Sequence, residues 1–257
     1  MNNRYYLTLA LGCVTLTSAS FAANLGTDNA SATAYQSGWV DGTDGSITGP
    51  GAYGLWFLNA DTADIIHEVA SVGSLSSNPP NLNTGGLSFR MAGSNGQEST
   101  AFRFIDPSGL SVGQSFSIDL AVNFRNGFKG IDIRDADTSN LLNFNVGGDD
   151  YVVNDATTGN GSIGSTYSDN SLFTVLVEQT SLNGGVWSIT RSGGVSDFDT
   201  GTYSGVPSSI KLYVGSTTGT DADALFFNNL STIPEPGHFG LMIGTSLLGL
   251  LLLRRRL

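Results

Sequence analysis

Between Phe116 and Phe124 a large apolar residue stands at every second position: Phe116, Ile118, Leu120, Val122 and Phe124, with small or polar residues between them. A helix would scatter those five side chains around its circumference, whereas an extended strand puts them on one face. The same period recurs more briefly at Ala101–Ile105, Asn143–Val146, Val186–Thr190, Ile210–Val214 and Ala224–Phe227. Leu172–Val177 is apolar on both faces and predicts a central strand. Turn signals fall between these runs: Asp106-Pro107-Ser108-Gly109, Asn126-Gly127, Gly147-Gly148-Asp149-Asp150, Asn183-Gly184-Gly185 and Ser192-Gly193-Gly194. Asn-Gly and Gly-Gly admit the positive φ that tight hairpins need. Many short strands at this spacing predict an all-β, jelly-roll or concanavalin-like two-sheet sandwich. One short helix is expected within Ala60–Val72, where Ile65, Ile66 and Val69 are spaced for one helical face.

Both ends read as processing segments. Arg4 precedes an apolar run from Tyr5 to Leu16, and Ser20 and Ala22 occupy the small-residue positions that signal peptidase requires. Residues 1–22 are therefore expected to be a signal peptide, with its own short helix. At the other end, Pro234-Glu235-Pro236 cannot continue a strand or helix. The 17 residues Gly237–Leu253 carry no Asp, Glu, Lys or Arg, and Arg254, Arg255 and Arg256 follow. Such a run is at the short limit of a membrane-crossing helix, and arginines beside one stay on the cytoplasmic side. The expected layout is a signal peptide at 1–22, one sandwich domain at 23–230 and a tail at 231–257, with Ser231–Ile233 as linker.

The order Pro-Glu-Pro, apolar helix, arginines resembles the PEP-CTERM sorting signal of Gram-negative bacteria. The resemblance implies recognition of Pro234, Glu235 and Pro236 by exosortase, a membrane protease. It also implies a transient inner-membrane anchor, delivery to the cell surface or medium, and an exopolysaccharide or biofilm setting. The middle of the chain is similar to an uncharacterised secreted bacterial β-sandwich module. That similarity rests on Asp28-Asn29-Ala30-Ser31, Tyr35, Gly38-Trp39, Asn83-Thr84-Gly85-Gly86, Leu110–Phe116 and Tyr151–Asp155. It implies the fold and no activity.

Charge and composition narrow the chemistry. Residues 23–233 hold seven basic and 21 acidic residues, a net charge of −14. Such a surface repels nucleic acid and anionic membranes, so no nucleic-acid partner is expected. The single cysteine, Cys13, lies in the leader, where the preceding Ala10-Leu11-Gly12 fits a lipoprotein signal poorly. The rest has no thiol, disulfide or Cys-based metal site. Of the Glu residues, only Glu68, Glu98 and Glu178 lie in the domain, and none stands in the Glu-x-Asp-x-x-Glu pattern of sandwich glycosidases. His67 is the only histidine there, and no Gly-x-Ser-x-Gly elbow occurs. The expectation is a non-enzymatic matrix protein that makes structural or exopolysaccharide contact. The alternative is a cryptic polysaccharide hydrolase or lyase.

Two kinds of candidate site remain. Clustered carboxylates could ligate a structural calcium ion, and Asp41 with Asp44 or Asp221 with Asp223 are the favoured sets. Aromatic rings near Gly- or Asn-rich turns could stack on sugars, with Trp39, Trp56 and Tyr151 as the candidates.

Overall fold

Phe116, Ile118, Leu120 and Val122 are all fully buried, side by side on one face of a nine-residue strand, Gln114–Val122. That strand is one of fifteen in a computed structural model that describes residues 26–46, 53–70, 82–105, 108–148, 150–155, 157, 159–164 and 171–234. The strands are numbered in chain order and form two antiparallel sheets.

The first sheet runs β13 (Asp197–Ser204), β12 (Gly184–Ser192), β11 (Leu172–Ser181), β6 (Gln114–Val122), β15 (Leu225–Pro234), β4 (Ser88–Gly93), β3 (Ile65–Ala70). β1 (Gly26–Asp28) pairs with the far half of β15, at Leu230–Thr232. The second sheet runs β10 (Gly159–Ser162), β9 (Val152–Asp155), β8 (Asn140–Asn145), β7 (Phe128–Arg134), β14 (Ser209–Gly215), β5 (Glu98–Phe104), β2 (Trp56–Leu58). β4 packs across β5 and β14, and β13 across β8 and β9, so the sheets lie face to face. The shared core takes Phe116, Ile118, Leu120 and Val122 of β6, Phe173, Val175 and Val177 of β11, and Phe89 and Phe227 from the first sheet. Ile131, Ile133, Phe144, Ile210, Leu212 and Val214 come from the second. Phe89 and Phe227 stack at 5.0 Å with an 18° interplanar angle.

Three local expectations are corrected. The segment expected to be helical within 60–72 is strand β3, paired antiparallel with β4 from Ile65↔Gly93 to Ala70↔Ser88. Residue 67, a buried histidine, occupies the inward position between Ile65 and Val69. Ser231–Ile233 is not linker but the end of β15, which pairs with Gln114–Ser117 of β6 as far as Pro234. Phe124 lies past the end of β6 and is 51% exposed. The signal segment 1–22, and the tail from Glu235 through Arg254, Arg255 and Arg256, lie outside the described residues. Among the described residues no helix is long and apolar enough to cross a membrane.

Candidate functional site

The aromatic candidates are core residues. Trp39 is 1% exposed, and Trp56 and Tyr151 are fully buried. Trp39 and Trp56 meet edge to face at 5.2 Å, and both rings pack on Phe89 and Phe227. Tyr151 lies 4.7 Å from Phe173 and beneath the Arg191 guanidinium, 4.6 Å from its ring centre. None of the three offers a face to a ligand.

The calcium candidates already have protein partners. Asp44 accepts from the Arg103 guanidinium at 2.5 Å and from Ser46. Asp41 accepts the Leu58 amide at 2.9 Å, closing the free edge of β2. Asp221 pairs with Arg90 at 2.8 Å. Asp223 accepts from Thr218 and Asn126, and those bonds hold its carboxyl below the usual carboxylate range despite the opposing effect of burial. Each candidate carboxylate thus already serves a cation or donor of the chain. Among the described residues no group of three acidic or histidine side chains is placed to hold a metal.

A constellation that spacing could not reveal lies at the β3 edge. His67 Nδ1 is 2.6 Å from Asp61 Oδ1, and its Nε2 is 2.9 Å from Ser99 Oγ. The composition is that of an acyl-transfer triad, beside a cleft of about 350 Å³ lined by Trp39, Asp61, His67 and Leu87. The geometry is wrong for one. Ser99, which would be the nucleophile, is fully buried, while Asp61, the orienting acid, is 54% exposed at its side chain. Nε2 also faces the Thr100 carbonyl at 3.0 Å, so that nitrogen is served as a donor. The Ser99 hydroxyl donates to the Ile66 carbonyl at 3.2 Å. A serine whose proton is committed elsewhere, facing an N–H, has no base. The histidine instead ties β3 of one sheet to β5 of the other.

The outer face of the second sheet is different. Cross-strand registers place Asn154, Asn143, Asp132, Lys211, Phe102 and Phe57 in one transverse row over six strands, β9-β8-β7-β14-β5-β2. At the usual strand spacing the row is about 24 Å long. Its polar half is held in place by its own bonds. Asn154 donates to Asn143 at 3.1 Å, and Asn143 donates to Asp132 at 2.7 Å and to the Tyr213 hydroxyl at 2.8 Å. Arg134 donates to the other Asp132 oxygen at 2.7 Å. Burial raises the Tyr213 phenol above its ordinary pKa, so it stays protonated. The aromatic half is a cluster of Phe57, Phe102 and Phe104, with centroids 5.0–6.4 Å apart. Phe57 is 50% and Phe104 36% exposed.

Glycines make floors for two further rings. A Cβ on Gly215 would stand 2.4 Å from the Phe128 ring, and one on Gly130 would stand 2.9 Å from the Tyr213 hydroxyl. Bare backbone at these points lets Phe128 and Tyr213 lie across the sheet, 6.3 Å apart and tilted by 33°. The face therefore combines aromatic rings with fixed amide, carboxylate and guanidinium groups.

No family model and no curated protein matches the chain. Among solved structures it is similar to a sialidase, at 12% identity and TM-score 0.44, over 69% of this chain and 16% of that one. It is similar to a conserved carbohydrate esterase from the Shiga toxin-encoding bacteriophage phi24B, at 13% identity and TM-score 0.46, over 70% of this chain and 90% of that one. It is also similar to the Caenorhabditis elegans galectin LEC-6, at 17% identity and TM-score 0.35, over 50% and 88%. No residue role is carried over from any of them.

Proposed function

We propose that this is an exported, non-enzymatic, concanavalin-like jelly roll that holds glycan chains of an extracellular matrix on the outer face of its second sheet. The observation that carries the reading is the transverse row from Asn154 to Phe57. Sugar rings have an apolar C–H face that stacks on aromatics and a rim of hydroxyls that suits fixed amides and carboxylates. A row of this length suits several linked sugars better than one. Export rests on the leader and the Pro-Glu-Pro tail. In this reading signal peptidase and exosortase process the chain, the inner membrane holds it transiently, and the cell surface of a Gram-negative bacterium receives it.

The mature protein should retard in affinity gels cast with the producing cell's exopolysaccharide. Replacing Phe57 and Phe102 together by Ala should weaken that by about tenfold or more, as loss of a central aromatic anchor does. Unchanged retardation of the double variant would remove the face from consideration. Intact Arg254–Arg256 on surface protein, seen by mass spectrometry, would remove the sorting step. The alternative is a cryptic hydrolase or lyase, which the closed Asp61–His67–Ser99 line does not support. Release of oligosaccharides from the polymer by the purified protein would favour it.

A further inference from the structure

We infer that the glycan this face takes is uncharged, an inference that rests on the glycan-binding reading above. The observation behind it concerns where the chain keeps its cations. All seven Lys and Arg residues of the domain are described, and none is exposed. Arg90, Arg103, Lys129 and Arg191 are at most 4% exposed. Arg90 is spent on Glu68 and Asp221, Arg103 on Asp28 and Asp44, and Lys129 on two backbone carbonyls. Arg191 lies over Tyr151 and donates to Ser171. Arg125 is half-buried over the same tyrosine ring.

Only two cations reach the proposed face. Lys211 is held by Glu98 at 3.0 Å, and Arg134 by Asp132 at 2.7 Å. Each is already neutralised by its carboxylate, so a uronate or sulfate approaching either one meets that carboxylate's charge along with the cation's. Asp41, Asp61, Glu68, Asp137 and Asp197 are meanwhile exposed, so the long-range field also opposes a polyanion. Hydroxyl groups meet no such barrier. They can bond to the half-buried Asn143 and Asn154 while the ion pairs stay closed.

Affinity electrophoresis of the mature protein in EDTA would test this, with dextran, laminarin and galactomannan as neutral probes and alginate, polygalacturonate and heparin as anionic ones. The expected result is retardation by one or more neutral polymers and by none of the anionic ones. Affinity should change by less than about twofold between about 50 and about 300 mM NaCl, because no counterions are released. Glu98→Gln, which frees Lys211, should add salt-sensitive retardation by the anionic polymers. Anionic polymers bound by the unaltered protein in EDTA, and released by salt, would overturn the inference while leaving a glycan-binding face. A Glu98→Gln protein that gains no anion binding would overturn the ion-pair argument. Retardation by no polymer of either class, the producing cell's exopolysaccharide included, would sink the glycan-binding reading itself.

Discussion

Arg103→Met is expected to cost about 3–5 kcal/mol of folding free energy, measured by denaturant unfolding, because it leaves a buried carboxylate without its counter-ion. Arg103 is fully buried, with its guanidinium 4.9 Å from the Tyr53 ring centre and 4.8 Å from that of Trp56. It donates to Asp28, to Asp44 and to the Gly54 carbonyl. The Asp28 side chain has no exposed surface, and among the described residues its other side-chain donor is the Tyr35 hydroxyl. Methionine fills much of the arginine stem, so a cavity is not the main cause of the loss. Asp28→Asn in the same background should return part of it, since a neutral amide is less costly to bury than an anion. Strict additivity of the two substitutions would mean that the ion pair is not the source.

The loss should also depend on pH. Burial holds the Asp28 carboxyl above its ordinary value of 3.8, against the pull of Arg103. A raised folded-state value means that the stability this group contributes is complete below about 3.8 and is lost as pH rises through the folded value. Removing Arg103 removes the main opposing influence, so the window widens upward. The deficit of Arg103→Met should therefore be smaller near about pH 4 than near about pH 7, where the lone carboxylate must stay ionised or take up a proton at a cost. An equal deficit at both would contradict this account.

The same arginine shows where sequence reading ends. Strands with a greasy face were legible: β6, β12 and β14 lie where the alternation of Phe116–Val122, Val186–Thr190 and Ile210–Val214 puts them, and β11, between β12 and β6, lies where Leu172–Val177, apolar on both faces, predicts a central strand. Ala101-Phe102-Arg103-Phe104-Ile105 alternates just as plainly, but its polarity is inverted. Arg103 points inward with Ala101 and Ile105, and the two phenylalanines face outward. Side-chain period fixes which residues share a face, not which face is buried. That choice was made by Asp28 and Asp44, which arrive from 75 and 59 residues away. The aromatic platform was invisible for the same reason, since ordinary hydropathy buries Phe102 and Phe104 and exposes Arg103. Trp39 and Trp56, read as near-turn platforms, were instead the largest side chains available to fill the space around Phe89 and Phe227.

Buried polar residues account for the other departures. In β3 the inward row is Ile65, His67, Val69, and a histidine satisfied by Asp61 and Thr100 breaks the apolar pattern. In β15, Asn228 is fully buried, donates to the Leu82 and Leu87 carbonyls and accepts the Ala30 amide. Beside it Asn229 adopts φ 55°, where the register to β6 shifts. The polar stretch after this bulge, Ser231–Ile233, looks like linker in sequence yet carries the pairing to β1 and β6.

Lys129 should make the protein more stable as pH rises through a range in which many proteins weaken. Its amino group is fully buried and donates to the Phe124 carbonyl at 2.8 Å and the Asp223 carbonyl at 2.5 Å. Burial lowers its pKa from 10.5 to about 8, with Asp223 pulling the other way. Between those values the unfolded chain holds one proton more than the folded one, so stability rises with pH. The neutral amine keeps two N–H groups, enough for both carbonyls. From about pH 8 to about pH 9.5 the gain is about 1.5 kcal/mol, a little under 1.36 kcal/mol per unit because the folded lysine is still half protonated at the start. It must be read as a difference from Lys129→Met, because burial raises the phenols of Tyr35, Tyr53, Tyr203 and Tyr213, and their contribution is lost as pH rises past their ordinary value of 10. That loss is common to both proteins and cancels. At neutral pH the variant is relieved of a buried charge but loses the Lys129 hydrogen bonds to the Phe124 and Asp223 carbonyls, so the two proteins should lie close together. The unaltered protein should then pull ahead with rising pH, and a difference that stays flat would show that Lys129 carries no desolvation cost.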